Sequence, residues 1–274
     1  MDFKYRVKQI PFFYYPLFYI KKGILKIWFQ MCNRIYQFRR VNTNALKNFK
    51  DIYIGKRCFI ICTGPSLTID DLEKLSKEYT FSMNSIVNIY NKTSFRPKFY
   101  LIQDGKVEKK LRNRLINCHN SEYTTMFVGI GNVYGNGISI SKRTATRYYP
   151  KAYYYNNDFA YHCYDMYYHD FARVEYSMDC SIEIKDGFTV TYAALELAIY
   201  MGFKKIYLLG CDSNRSGHID SESNPSLKMQ TLDRNIQAYT YIKDKIKEMN
   251  IKIYNATRGG MLEVFERVDL DDII

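Results

Sequence analysis

The sequence predicts an α/β fold with a mostly parallel sheet; two observations predict it, and a third sets the N-terminal segment apart. Short apolar runs of strand length, such as RCFIIC, KFYLIQD and KKIYLLGCD, alternate with segments of helical periodicity ten or more residues long. Those runs stop at small or polar residues, which such a sheet delivers to one rim. Of a formal net charge of +12, all but about one unit lies before residue 58, where 13 Lys or Arg face only Asp2 and Asp51. The expected architecture is therefore a Rossmann-like sheet with helices on both faces over residues 51–274, preceded by a distinct segment over 1–50.

That first segment begins MDFKYRVKQIPFFYYPLFYIKKG, with basic residues ahead of an apolar run. The run holds two prolines, has no small-residue cleavage site, and is interrupted by Lys21 and Lys22 before it is long enough to cross a bilayer. Leu17, Ile20, Ile24, Ile27, Trp28, Met31, Ile35 and Phe38 then recur at helical spacing, with Lys22, Lys26, Arg34, Arg39 and Arg40 on the remaining surface. A basic amphipathic helix flanked by aromatics suits the inner face of an anionic membrane. The competing expectation is a helix docked on its own body or on a second copy in a homo-oligomer. Nucleic acid is not expected as a partner, because no recognition module accompanies the charge. The chain reads as cytoplasmic and peripheral to the cell membrane.

From Asp51 onward the elements follow in order. RCFIIC is a strand, and TIDDLEKLSKEY opens with a Thr-x-x-Asp capping pattern and continues as a helix. TFSMNSIV and KFYLIQD are strands. Residues 107–186, rich in Tyr, Asn and His, read as insertions and long loops over the sheet. TVTYAALELAIYMG is a helix, KKIYLLGCD a strand, QTLDRNIQAYTYIKDKIKEMN a long helix and IKIYNAT a last strand. The seven cysteines are scattered and form no CxxC pair, so neither a zinc cage nor a disulfide framework is expected. Most sit among apolar neighbours and read as small core residues in a reducing compartment.

Candidate site residues come from the strand ends. CFIICTGPSL stops at Gly64, where a residue without a Cβ lets the backbone approach a phosphate, while Pro65 stiffens the turn and Ser66 or Thr68 caps the next helix. Asn84, Asp104, Gly210, Asp212 and Thr257 end or follow four further strands, and so gather on the same rim. The polar stretch GCDSNRSGHIDSESNPS reads as a lid. Within it Arg215 offers a bidentate phosphate contact, and His218 a general base with a pKa near neutrality. Asp104 and Asp212 either hold Mg²⁺ across phosphates or simply hydrogen-bond a ribose or an amide.

Taken in order, CTGPSL with TIDDLEKL, TFSMNSI, RPKFYLIQD, TVTYAALELAIYMGFKKIYLLGCD and NATRGGMLEVFERVD resemble the MptE-like family, over roughly residues 52–272. The family takes its name from archaeal 6-hydroxymethylpterin diphosphokinases, and similar bacterial domains act in surface-polysaccharide assembly and flagellin glycosylation. The GPSL turn and the YMGFKKIYLLGCD unit also resemble the single-domain bacterial sialyltransferases, which use a CMP-activated sugar. The resemblance implies that Thr63, Gly64, Pro65 and Ser66 hold the phosphate region and that Asn84 and Asp104 line the same pocket. By the same resemblance Thr189 and Thr191 open an anion-facing helix, with Gly210, Asp212 and Thr257 beside the nucleotide. It implies either of two activities. One is transfer of a sugar from a nucleotide-sugar, a CMP-sugar first, to a glycan or lipid-linked acceptor hydroxyl. The other is an ATP- and Mg²⁺-dependent diphosphate transfer to a pterin-like alcohol. A non-enzymatic nucleotide-binding scaffold is the third expectation.

Overall fold

The computed structural model describes residues 40–119, 124–131, 139–158, 175–213, 219 and 229–274, with a few positions between 19 and 31. The described residues form a nine-stranded sheet. Its strands in chain order are β1 (Arg57–Ile61), β2 (Thr80–Met83), β3 (Phe99–Ile102), β4 (Thr125–Gly131), β5 (Tyr153–Asp158), β6 (Ile184–Lys185), β7 (Lys205–Leu209), β8 (Lys252–Asn255) and β9 (Glu266–Arg267). Across the sheet they run β6-β5-β4-β3-β2-β1-β7-β8-β9. Every pairing is parallel. The chain therefore moves outward from β1 to β6, then returns to build β7, β8 and β9 on the other side of β1. The order reverses between β1 and β7, and such a switch point opens a crevice beyond the carboxyl ends of the two strands.

Both faces of the sheet are covered. Cys58, Ile60 and Cys62 of the β1 run point to one face, where they meet α4 (Val190–Tyr200) and α5 (Met229–Lys245). Phe59 and Ile61 point to the other, with Leu72 of α1 (Ile69–Lys74), Leu111 and Leu115 of α2 (Gly105–His119), and Ala145 of α3 (Lys142–Tyr148). The alternation is the period of two that a strand buried on both faces requires. Helix α4 is buried at every residue, which explains why TVTYAALELAIY carries almost no polar face. Its one acid, Glu196, is fully buried and accepts the amides of Ser177 and Lys185. Burial pushes its carboxyl well above the ordinary range.

The runs RCFIIC, TFSMNSIV, KFYLIQD, KKIYLLGCD and IKIYNAT correspond to β1, β2, β3, β7 and β8. The 107–186 stretch differs from expectation, since its described residues supply most of α2, all of β4, α3, β5 and β6, and so belong to the sheet. Strand β5 reads as polar because its YYYNND sequence spends Asn156 on the backbone: its side chain accepts from the Val41 amide and donates to the Ile182 carbonyl. The segment boundary expected near residue 50 lies earlier. Leu46 in the 3-10 turn Asn44–Phe49 is fully buried, and Arg40 pairs with Glu183. The described positions between 19 and 31 are helical, and Ile20, Ile24, Ile27 and Met31 each expose more than half of their surface. The rest of the expected amphipathic helix lies outside the described residues. Among those described, no helix is long and apolar enough to cross a membrane.

Candidate functional site

The crevice at the switch point is a cleft of about 140 Å³. One wall is the chain leaving β1, Cys62 to Gly64, and the opposite wall is the chain leaving β7, Gly210 to Ser213. These walls are locked together, because the Cys62 amide donates to the Leu209 carbonyl and the Gly64 amide to the Gly210 carbonyl, each at 2.8 Å. A Cβ on Gly64 would lie 1.9 Å from Asp212 Oδ2 and 2.5 Å from the Gly210 oxygen. The bare backbone at Gly64 is thus demanded by the neighbouring strand end. Gly210 has φ +59°, and a Cβ there would press on the Cys62 carbonyl at 2.8 Å.

The third wall is the amino end of α4. Thr189, Val190 and Thr191 line the cleft, and Thr189 caps the helix by accepting the Thr191 amide at 3.3 Å. The partial positive charge of a helix amino end favours an anion in front of it. Asn84 enters from the end of β2 with a left-handed φ of 47°. The residue lines the cleft, and its Oδ1 is buried without a hydrogen-bond partner. An unmet buried acceptor costs about 1–3 kcal/mol, so its persistence calls for a ligand donor or a structural reason. Ser213, also on the cleft, and Phe188, just before the Thr189 cap, share the left-handed conformation at 49° and 64°. Strain of this kind gathers where structure serves ligands.

Most of the residues expected here meet at this point: Thr63, Gly64, Asn84, Thr189, Thr191, Gly210 and Asp212 all line the cleft. Asp212 is 6% exposed, and its Oδ2 accepts from Ser66 at 2.8 Å. Ser66 therefore supports the acid from behind and does not line the cleft, and Pro65 sits exposed on the outer turn. Thr257 is spent on structure, its Oγ1 accepting the Cys211 amide at 3.0 Å. Asp104 caps α2, accepting the amides of Lys106 and Val107 at 2.7 and 2.9 Å, and is not on the cleft. Arg215 and His218 lie outside the described residues. The amide of Ile219, the residue after His218, donates to the Thr63 carbonyl at 2.8 Å, which ties Ile219 to the β1 wall.

The carboxylates of Asp104 and Asp212 do not converge, because one caps α2 and the other is held by Ser66. Among the described residues no group of three or more His, Cys, Asp or Glu gathers as a metal site would. Reading the sequence alone missed Cys62, Cys211, Asn235 and Tyr239 on the cleft. Cys62 Sγ contacts Thr191 Oγ1 at 3.3 Å, and Cys211 Sγ contacts Tyr239 OH at 3.8 Å. The mutual influence of the two thiols lowers the pKa of Cys211 and, together with burial, raises that of Cys62.

A family model described as 6-hydroxymethylpterin diphosphokinase MptE-like matches residues 30–217. Among solved structures, the sialyltransferase CstII from Campylobacter jejuni, in complex with the substrate analogue cytidine-5'-monophosphate, superposes with a TM-score of 0.47 at 17% identity, over 78% of this chain and 85% of that one. The sialyltransferase CST-II with trisaccharide acceptor and CMP gives 0.47 at 18% identity, over 77% and 85%. No curated protein matches the chain.

Proposed function

The chain belongs to the 6-hydroxymethylpterin diphosphokinase MptE-like family, and from that premise we propose that it is a glycosyltransferase. In this reading it moves a sugar from a CMP-sugar to an acceptor hydroxyl of a glycan or lipid-linked glycoconjugate. The observation that carries the proposal is the switch-point cleft, whose lining holds both the amino end of α4 and Asn84, a residue with a buried, unpartnered Oδ1. The helix end suits a phosphate and the amide oxygen suits an amino or hydroxyl donor, which together describe a nucleoside monophosphate. The sequence likeness of the GPSL turn and of the helix-strand unit to the sialyltransferases supports cytidine as the base. Asp212 is the one carboxylate among the described cleft residues, and a nucleoside monophosphate leaving group needs less metal support than a diphosphate transfer. His218 is the proposed base, because its neighbour Ile219 is bonded to the cleft wall, and Arg215 is proposed to steady the leaving phosphate.

The family's own name favours a second reading, ATP- and Mg²⁺-dependent diphosphate transfer to an alcohol, and one experiment separates the two. Thermal melts with CMP and with ATP, each with Mg²⁺ or EDTA, should show CMP stabilising the protein without metal. The gain should be about 2.7 kcal/mol at 100 times its dissociation constant. Stabilisation by ATP alone, and only with Mg²⁺, would replace sugar transfer with the second reading. His218→Ala should keep CMP binding and lose about 10²–10⁴-fold in turnover.

A further inference from the structure

Cys62 and Cys211 leave adjacent parallel strands one residue out of register, and both line the cleft. Neighbouring strands lie about 4.8 Å apart, and the 2.8 Å bonds from Cys62 to Leu209 and from Gly64 to Gly210 keep that spacing to the strand ends. With the one-residue offset the diagonal separation is about 5.8 Å, within the Cα separations a disulfide spans. Both side chains also lie in the same buried apolar cluster, on one face of the sheet. Cys58 and Cys180 differ, being fully buried and away from the cleft.

We propose that Cys62 and Cys211 are a modification site, oxidised by a hydroperoxide to a disulfide across the floor of the cleft, and that this bridge lowers the cleft's affinity for nucleotide. The second half rests on the nucleotide reading given above.

The chemistry balances with hydrogen peroxide as the two-electron oxidant. One thiolate attacks a peroxide oxygen, the O–O bond breaks, and the departing hydroxide takes the thiol's proton as water. The resulting sulfenic sulfur is then attacked by the second thiol, the S–O bond breaks, and a second water leaves. Sulfur is oxidised at both residues and peroxide oxygen is reduced. A molecule of that size enters a cleft of about 140 Å³. Closing the bridge withdraws Cys62 from Thr191 in the first turn of α4 and Cys211 from Tyr239, so the anion-facing wall and the α5 wall both lose an anchor.

The test uses the full chain, reduced and then exposed to hydrogen peroxide, with free thiols alkylated and peptides read by non-reducing mass spectrometry. A Cys62–Cys211 cross-linked peptide is expected, with Cys58 and Cys180 still alkylatable after unfolding. Calorimetry should find CMP affinity weakened by about tenfold, equal to about 1.4 kcal/mol, and restored by dithiothreitol. Saturating CMP present during oxidation should slow cross-linking. Cys62→Ala and Cys211→Ala should each lose the peroxide sensitivity of CMP binding. A different linkage, or overoxidation at one thiol with no bridge, overturns the pairing. A bridge that leaves CMP affinity unchanged overturns the regulatory half. If the reduced protein binds neither CMP nor ATP, the nucleotide reading fails and takes the regulatory half with it, while the cross-link yield still decides the pairing.

Discussion

At the scale of single residues, Gly64 lines the cleft and is a glycine for a reason the sequence does not display. A glycine after a buried strand suggests close approach by a phosphate. Here the glycine makes room for Asp212 and the Gly210 carbonyl, and its own amide is already donated. Gly64→Ala should therefore push Asp212 off Ser66 and part the cleft walls. We expect a loss of about 1–3 kcal/mol in urea unfolding, as overpacking costs, together with weakened CMP binding in calorimetry. A variant unchanged in both would refute this role. Gly64, Asn84 and Asp212 were legible because small and polar residues at strand ends stand out from apolar runs. Cys62 and Cys211 were not, because a thiol inside FIICTG or YLLGCD reads the same whether it faces a core or a cleft. Only the pairing of β1 with β7, set by contacts about 150 residues apart, separates the cases.

Among elements, α1 was written most plainly in the sequence. Thr68 accepts the Asp71 amide at 3.2 Å and Asp71 accepts the Thr68 amide at 3.0 Å, a capping box that TIDD announces. What TIDD does not announce is Arg258, which grips both Asp71 oxygens at 2.6 Å and binds α1 to the chain leaving β8. Burial works against the Asp71 carboxylate, but the bonds from Arg258 and Thr68 outweigh it and hold its pKa below the ordinary value. A folded-state pKa lower than the unfolded one gives stability that is complete above about 3.9, and that is lost as pH falls through the folded value. Asp71→Asn should cost about 1–3 kcal/mol at neutral pH. The gap from the unsubstituted protein should narrow in urea melts taken progressively below about pH 3.9, and a gap independent of pH would refute the ion pair's contribution. Helix α4 was equally legible, since an apolar run beyond ten residues is too long for a strand. Strand β5 was hidden because Asn156 and Asn157 are buried amides, a pattern that single-sequence periodicity assigns to a loop.

For the molecule as a whole, the charge is the feature that the described body does not absorb. Ile20, Ile24, Ile27 and Met31 recur on one helical face and are exposed, in a segment that carries most of the net charge. Contact with an anionic membrane is the reading we favour for it. Arg40 and Val41, the first residues of the described body, pair with Glu183 and Asn156, so a chain lacking residues 1–39 keeps those anchors. The full chain should float with phosphatidylserine vesicles in low salt and the shortened chain should not, while both bind CMP alike. A full chain that stays in the pellet fraction would sink the membrane reading.

The strand order also decides when the molecule becomes safe. Strand β1 sits in the middle of the finished sheet, yet its partner β7 is made nearly 150 residues later. Until the ribosome has delivered that partner, RCFII offers one bare edge of unmet amides and carbonyls flanked by Phe59 and Ile61. A polypeptide ended by a nonsense codon or a protease before Lys205 would keep that edge permanently, and would be a substrate for chaperones or a seed for aggregation.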